Sequence, residues 1–220
     1  MIEIPVHDIQ GKQIDTLQVD EALLGGEVRH ALLKQAYVRF HANRRQGTAS
    51  TRSRADTSYS TRKMYKQKGT GSARRGTAGT NIMYHGGHTF AKSVRSFRQD
   101  MPKKMRRLAN RNALLAKAVD GEIKIVDSLS FEKPSTKVFS QLLSALNINR
   151  TCLVALSSTT STEAKSARNV EHVSVTNAEL LNAFDVLNHR FLLIDKATMQ
   201  SVIDKAQGKV NPVSTNVEGE

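Results

Sequence analysis

Hydrophobic positions divide the chain into two patterned blocks separated by a long stretch without a pattern. In the N-terminal block, residues 2–6 (IEIPV) and 14–19 alternate with the period of strands, and Gly11-Lys12 between them indicates a hairpin turn. Apolar residues then recur at helical spacing, which predicts one helix over 21–42 with Asp20 as its cap. The block therefore begins a folded domain with a hairpin and a helix.

The C-terminal block opens with another helical pattern and continues as alternating strands and helices. Pro102 suits the start of the first helix, and Leu115 and Val119 belong to its inward positions. Strands are predicted at 122–126, 152–156, 172–175 and 191–194, and helices at 135–146, 162–169, 178–187 and 197–206. Val138 is predicted to face inward from the first of these helices. This alternation predicts an α/β fold, a three-layer, mostly parallel sheet with Rossmann-like topology.

The stretch between the two blocks has almost nothing with which to build a core. Between Phe40 and Ile82 the sequence contains no Leu, Ile, Val or Phe. Such a segment cannot offset the entropy of ordering, roughly 1–2 kcal/mol per residue for the backbone alone. It is either a disordered linker or a loop that folds onto something outside the chain. We predict a globular domain of residues 1–44 and 99–207, an extended loop over 45–98 between two helices, and a disordered tail over 208–220.

Charge is concentrated in the same stretch. The chain carries a net charge of +13, yet the 18 Lys and Arg between Arg44 and Asn112 face only Asp56 and Asp100, while the remainder has 15 bases and 18 acids. This favours a polyanionic partner, with nucleic acid first and an anionic membrane second. RNA fits better than DNA, because no helix-turn-helix, zinc finger or basic zipper is apparent and a glycine-rich arm can follow irregular folded RNA.

Side chains for binding RNA are abundant in and beside the loop. Tyr59, Tyr65 and Tyr84 could stack on unpaired bases or pack against the loop's own backbone. The bases of the helix that follows either form a solvated face or flank the same anion, and we favour the second interpretation. The candidate RNA contacts are Arg44, Arg45, Arg52, Arg54, Arg62, Lys63, Tyr65, Lys66, Lys68, Arg74, Arg75, His85, His88, Lys103, Lys104, Arg106, Arg107 and Arg111.

Signals for catalysis are weak. The predicted strands are not followed by a dinucleotide fingerprint, and GTGSARRG (69–76) lacks the end of a phosphate loop. Asp127 and Asp195 follow strands and could bind a metal, although capping or turn formation is favoured for each. HGGH (85–88) has metal-like spacing but no further ligands nearby. We expect no enzyme, metal or cofactor, and an α/β enzyme acting on nucleic acid remains the alternative.

Compartment and membrane signals agree with that interpretation. Cys152 is the only cysteine, so no internal disulfide is possible and a reducing compartment is expected. The sequence begins without the pattern of a signal peptide and has no apolar run of about 20 residues. A membrane-binding arm would need an apolar face beside its charge, and 41–81 has none.

Several motifs resemble the large-subunit ribosomal protein four family. They are Arg45-Gln46-Gly47-Thr48, KMYKQKGTGSARRG (63–76), GGHTF (86–90), KKMRRLANRNAL (103–114) and KPSTK (133–137). The resemblance spans residues 1–207 in the same order of elements. Tyr65 stands where the family commonly has Trp, Met64 where it has Pro, and Ser72 where it has Arg.

The resemblance implies a role in the ribosome. In that family a surface α/β domain carries a loop that penetrates ribosomal RNA, takes part in early subunit assembly and helps to line the peptide exit tunnel. The residues that resemble the tunnel tip are Gln67, Lys68, Gly69, Thr70 and Gly71. We therefore expect a cytoplasmic, bacterial-type ribosomal protein whose partners are large-subunit RNA, neighbouring ribosomal proteins and the nascent peptide, with neither membrane binding nor homo-oligomer formation.

Overall fold

The computed structural model describes residues 1–131 and 133–207, so the predicted disordered tail at 208–220 lies outside the described residues. The described residues form two compact units. One unit combines Met1–His41 with the described part of Asp100–Glu220 and is called the α/β unit below. The other, Ala42–Gln99, is called the basic arm. Each has its own internal contacts.

A six-stranded, mostly parallel sheet forms the centre of the α/β unit. Strand β1 pairs antiparallel with β2 through the predicted hairpin, and the other neighbouring pairs are parallel. The strand order is β2-β1-β3-β6-β4-β5. The strands are β1 (Ile2–His7), β2 (Gln13–Val19), β3 (Ile123–Val126), β4 (Cys152–Leu156), β5 (Val173–Asn177) and β6 (Phe191–Asp195).

Six α-helices accompany the sheet within the described residues. Two short 3-10 turns, Glu21–Leu24 and Ala178–Leu180, precede α1 and α5. The helices are α1 (His30–Asn43), α2 (Lys103–Val119), α3 (Thr136–Ala145), α4 (Thr162–Arg168), α5 (Ala183–Asn188) and α6 (Lys196–Gln207). The mixed α/β class predicted from the alternating pattern is confirmed.

Helices cover both faces of the sheet. Side chains alternate along a strand, so Leu192 and Ile194 of β6 join one buried cluster while Leu193 joins the other. The first cluster includes residues of α1, α2, α5 and α6, and the second includes residues of α3 and α4. Central strands buried on both faces explain why CLVAL (152–156) reads as a continuous apolar run.

The predicted helix over 21–42 is wrong as one element, because the chain turns sharply after Leu24. Gly25 has φ +107°, a left-handed conformation in which a side chain is strained, and a Cβ there would lie 2.4 Å from Nδ2 of Asn112. The helix therefore restarts only at His30. Similarly, the helix predicted at 178–187 is interrupted at Asn182, whose side chain accepts a hydrogen bond from the amide of Asp185 and so begins α5.

Helix faces and strand order also differ from expectation. Val119 is 62% exposed and Val138 is 38% exposed, while the neighbouring Phe139 is fully buried. The predicted Rossmann-like topology is not confirmed, since β6, the last strand, lies between β3 and β4. A hydrophobic pattern gives the element type, but it does not encode which strand pairs with which.

One buried amide connects the N-terminal turn to the longest helix. Asn112 of α2 is fully buried, its Nδ2 donates to the carbonyl of Leu24 at 3.2 Å, and its Oδ1 accepts from the amide of Arg29 at 3.0 Å. These two bonds satisfy backbone groups on either side of the Gly25 turn. Asn112 thus fixes the segment that leads into α1.

Substituting Asn112 by Ala is expected to lower the free energy of unfolding by about 2–3 kcal/mol, because two buried backbone groups lose their partners. Urea unfolding followed by circular dichroism measures this change. Asn149→Ala, at an exposed position before β4, is the matched control and should change the free energy by less than about 0.5 kcal/mol. Equal midpoints for the two variants would contradict the assigned role.

Candidate nucleic-acid interface

The basic arm is an antiparallel excursion whose two ends meet. Residues 45–102, all described, form neither helix nor strand. At the base, Nδ2 of Asn43 donates to the carbonyl of Gln99 at 3.2 Å, and the amide of Gln99 donates to Oδ1 of Asn43 at 2.8 Å. The chain therefore leaves and returns at the same place.

Further hydrogen bonds connect the outgoing and returning limbs along the arm. The amide of Thr51 donates to the carbonyl of Lys92 at 2.9 Å, and the amide of Met64 donates to the carbonyl of Gly76 at 3.0 Å. The hydroxyl of Tyr65 donates to the carbonyl of Ala73. Beyond this last contact the chain reverses through Lys66–Ser72, so the five residues that resemble the tunnel tip lie in the distal turn.

Backbone rather than apolar side chains occupies the interior of the arm. Of residues 42–99, all described, only Gly79 and Gly87 are buried. A Cβ at Gly79 would lie 1.9 Å from the ring of Tyr59, and one at Gly87 would lie 2.4 Å from the amide nitrogen of Arg54. Glycine leaves room for the Tyr59 ring at the first position and lets the two main chains approach this closely at the second. The arm consequently has a defined path without any core of its own.

The three tyrosines of the arm have different surroundings. The hydroxyl of Tyr59 donates to the carbonyl of Arg54 at 2.6 Å, so Tyr59 and Tyr65 both contact the arm's own backbone. Tyr84 is 92% exposed and meets the ring of His85 edge to face. The packing alternative raised by the sequence thus describes Tyr59 and Tyr65, while Tyr84 presents its ring to solvent.

Positive charge covers the outside of the arm. Residues 42–99 contain 13 Lys and Arg and one acid, Asp56. The carboxylate of Asp56 accepts hydrogen bonds from Oγ of Ser53 at 2.5 Å and from the backbone amide of Ser53 at 3.0 Å. These bonds lower the pKa of Asp56. The exposed predicted contacts in the arm are Arg44, Arg45, Arg52, Arg54, Arg62, Lys63, Lys66, Lys68, Arg74, Arg75, His85 and His88.

Some of these cations have partners within the arm. The guanidinium of Arg45 lies 3.7 Å from the centre of the Phe97 ring, and that of Arg95 lies 4.6 Å from the same ring. One Nη of Arg75 lies 3.2 Å from the sulfur of Met83. None of these contacts neutralises charge, since the ring and the thioether are uncharged. The charge therefore remains available to an external anion.

Exposed apolar side chains of the returning limb escaped the sequence analysis. Ile82 is 91% exposed and Phe90 is 95% exposed, and Tyr84 of the same limb is 92% exposed. Large apolar groups in water are typical of contact surfaces when they cluster. The signal in the sequence was weak, because isolated apolar residues in a polar stretch have no period.

The N-terminal part of α2, in the α/β unit, carries a second group of cations. Lys103, Lys104, Arg106 and Arg107 are exposed, and Arg111 is half-buried. Arg106 and Arg107 line a cavity together with Arg39 of α1, a residue that was not among the predicted contacts. Arg39 was missed because it lies alone within an apolar helical pattern.

The carboxyl ends of the strands do not form a metal site. Asp127 is exposed, whereas Asp195 is half-buried, and no group of three His, Cys, Asp or Glu in the described ranges could hold a metal ion. HGGH (85–88) is among the described residues, so the same holds for its two histidines.

Burial raises the pKa of Cys152 to about 12, so its thiol is protonated and unreactive at neutral pH. No helix within residues 1–131 and 133–207 is long and apolar enough to cross a bilayer.

The surroundings of Asp195 disfavour its ionised form. Its Oδ1 is buried without a hydrogen-bond partner among the described residues, and burial, with a smaller contribution from Asp127, raises the pKa of Asp195. The folded state therefore resists ionisation more than the unfolded chain does. The resulting destabilisation is complete above the folded pKa and disappears as pH falls toward the unfolded value.

Asp195→Asn is expected to stabilise the α/β unit at pH 7.5 by up to about 1 kcal/mol, a modest figure because the carboxyl is partly exposed. Thermal unfolding at a series of pH values measures the difference, which should narrow as pH approaches 4. Glu27→Gln, at an exposed position, removes the same charge and should show no such trend. A pH-independent gain for Asp195→Asn would contradict the ionisation argument.

Comparisons with known proteins connect this geometry to a family. A family model described as the ribosomal protein L4/L1 family matches residues 17–205. The chain is 41% identical over 201 residues to the large ribosomal subunit protein uL4 of Dehalococcoides mccartyi, covering 91% of this chain and 96% of that protein. It is 38% identical over 202 residues to the protein of the same name from Moorella thermoacetica, covering 92% and 98%. It is 34% identical over 202 residues to the protein of that name from Carboxydothermus hydrogenoformans, covering 92% of this chain and 98% of that protein.

Proposed function

This chain belongs to the ribosomal protein L4/L1 family, and on that premise we propose that its basic arm binds the RNA of the large ribosomal subunit. The family is one of structural proteins of the ribosome rather than enzymes, and its members compared above are named as proteins of the large subunit. The chain is accordingly a ribosomal protein of the large subunit.

The observation that carries the proposal is an arm with an ordered path and no buried side chain. Only two glycines are buried among residues 42–99, and 13 bases face one acid. Like charges at this density repel one another, and this repulsion raises the free energy of the arm in water. RNA supplies both the counter-charge and the walls that the arm lacks.

We propose different roles in the subunit for the two units. The α/β domain, residues 1–44 and 99–207, anchors at the surface of the subunit, and the loop over 45–98 extends inward between RNA helices. Neighbouring ribosomal proteins contact the α/β domain. Because the arm and the RNA order each other, binding contributes to early assembly of the subunit in the cytoplasm.

The distal turn is the part of the arm that we propose lines the peptide exit tunnel. Gln67, Lys68, Gly69, Thr70 and Gly71 lie in this turn, beyond the contact between Tyr65 and Ala73. All five are exposed and therefore available to a nascent peptide. The side chains of Arg74 and Arg75, just after the turn, would hold the surrounding RNA.

Sedimentation tests subunit binding, and cross-linking tests the position of the turn. Tagged protein from a lysate should move with large subunits in a sucrose gradient and return to the top after ribonuclease treatment. A photoreactive residue at Thr70 should cross-link to a stalled nascent peptide, whereas the same residue at exposed Ser140 of α3 should not. Protein that stays at the top of the gradient contradicts RNA binding, and equal labelling from both positions contradicts the tunnel assignment.

A further inference from the structure

A cavity of about 460 Å³ lies on the α/β unit between α1, the start of α2 and α5. One side is cationic and is lined by Arg39, Lys103, Arg106 and Arg107. The other side is apolar and includes Phe40 and Phe184. No carboxylate is among the described residues that line it. The cavity therefore joins a surface for an anion to a surface for a flat apolar group.

Arg39 is the distinctive member of the cationic side. Its Nε is buried and has no hydrogen-bond partner among the described residues. A buried donor on a charged group without an acceptor costs free energy, and few such donors are found in native proteins. The buried nitrogen itself is closed to a ligand, and an anion in the cavity would instead offset the charge of the guanidinium to which it belongs. The planar guanidinium offers parallel donors that match the oxygens of a phosphate.

The apolar side is rigid and shaped for a ring. Phe40 and Phe184 stack with their centroids 4.7 Å apart. Asn110 holds the wall in place, because its Nδ2 donates to the carbonyl of Leu181 at 3.1 Å and its Oδ1 accepts from the amide of Ala183 at 2.9 Å. Its amide is thus committed to the fold rather than to a ligand. A nucleobase could lie against such a surface, since stacking on aromatic side chains is the usual means of holding an unpaired base.

We infer that this cavity takes one unpaired nucleotide of RNA, with its phosphate on Arg39, Arg106 and Arg107 and its base against Phe40. The inference rests on the proposed function and adds a defined contact on the α/β unit, apart from the basic arm. The volume is within the range of small-ligand pockets, about 300–1,000 Å³, and is larger than a phosphate alone requires. The combination of guanidinium donors and an aromatic wall distinguishes a nucleotide from a free anion.

Arg39→Gln in the full chain tests the inference, with Lys34→Gln as the matched control. Lys34 lies on the same helix, is exposed and does not line the cavity, so both variants lose one positive charge from α1. The affinity for a large-subunit RNA fragment should fall about tenfold for Arg39→Gln and less than about threefold for Lys34→Gln. Arg39→Lys should remain weak because it lacks the parallel donors. Thermal unfolding confirms that each variant is folded.

Phosphate-ethylation interference shows where the contact is made. Wild-type protein should have several sites at which ethylation blocks binding, and one of them should lose its effect in Arg39→Gln while the sites contacted by the arm keep theirs. An abasic nucleotide at that site should weaken wild-type binding as well. Titration of the Arg39 Nε–H NMR signal with inorganic phosphate and with the RNA separates the two sources of phosphate, and only the RNA should move it at micromolar concentration.

The outcomes separate this inference from the proposed function. Wild-type protein that does not bind the RNA overturns the proposed function itself. Wild-type protein that binds, with Arg39→Gln and Lys34→Gln equal in affinity and in interference pattern, overturns only the cavity inference. Saturation of the Arg39 signal by micromolar inorganic phosphate also overturns it, since charge alone would then fill the cavity.

Discussion

Replacement of residues 44–98 by a short glycine–serine linker is expected to lower the affinity for large-subunit RNA by about a thousandfold or more, because most phosphate contacts are lost. The α/β unit should stay folded and change its free energy of unfolding by less than about 1 kcal/mol. The structure supports this separation, since Asn43 and Gln99 already hydrogen-bond to each other. A linker can therefore join them without moving α1 or α2.

Filter binding at constant salt measures the affinity, and urea unfolding measures the stability. The double variant Lys137→Gln and Lys165→Gln is the control, because it removes exposed charge from α3 and α4 and leaves the arm intact. It should bind RNA within about threefold of wild type. Collapse of the shortened protein would show that the unit boundaries are misplaced, and full retention of affinity would contradict the role of the arm.

The affinity of the whole protein for large-subunit RNA is expected to fall by about 10³–10⁵ between 50 and 200 mM salt, if six to ten phosphates are contacted. The physical reason is release of counterions by the 13 bases of residues 42–99, which only Asp56 opposes. A binding mode based on apolar contact would instead be nearly insensitive to salt.

The slope of log affinity against log salt tests this directly. Arg74→Gln with Arg75→Gln should reduce the magnitude of the slope by roughly 1.4–1.8, since each lost phosphate contact removes about 0.7–0.9. The Lys137 and Lys165 control should leave the slope unchanged. A flat salt dependence of the wild-type protein would show that phosphate contacts do not dominate its binding.

Much of the α/β unit could be predicted from periodicity alone. The strands were located to within a residue or two, because the central ones are continuous apolar runs and the outer ones alternate between apolar and polar residues. The break after Leu24 could not be predicted in the same way, because the apolar spacing continues across Gly25. Only the close approach of Asn112 explains why the chain must turn there.

The site was predicted by residue type more completely than by arrangement. Runs of Lys, Arg and Gly identify the arm whatever path it takes, so every cation of residues 44–75 is among the predicted contacts, and its contact with RNA stays a prediction. The pairing of the limbs could not be predicted, because backbone hydrogen bonds such as Thr51 to Lys92 have no periodic signature in sequence. The place of Arg39 in the cavity could not be predicted for a related reason, since the cavity also needs residues of α2 and α5, which are far away in the chain.

The two buried glycines of the arm determine its thickness. At Gly87 two main chains pass side by side with no side chain between them, and at Gly79 the missing side chain leaves room for the ring of Tyr59. Paired backbones of this kind lie only about 5 Å apart, the spacing of neighbouring strands. A rod this thin can enter a crevice that is too narrow for a helix. Nearly all of its side chains point outward and can contact the surface of that crevice. Enlarging either glycine would widen the rod before it altered any of its outward groups.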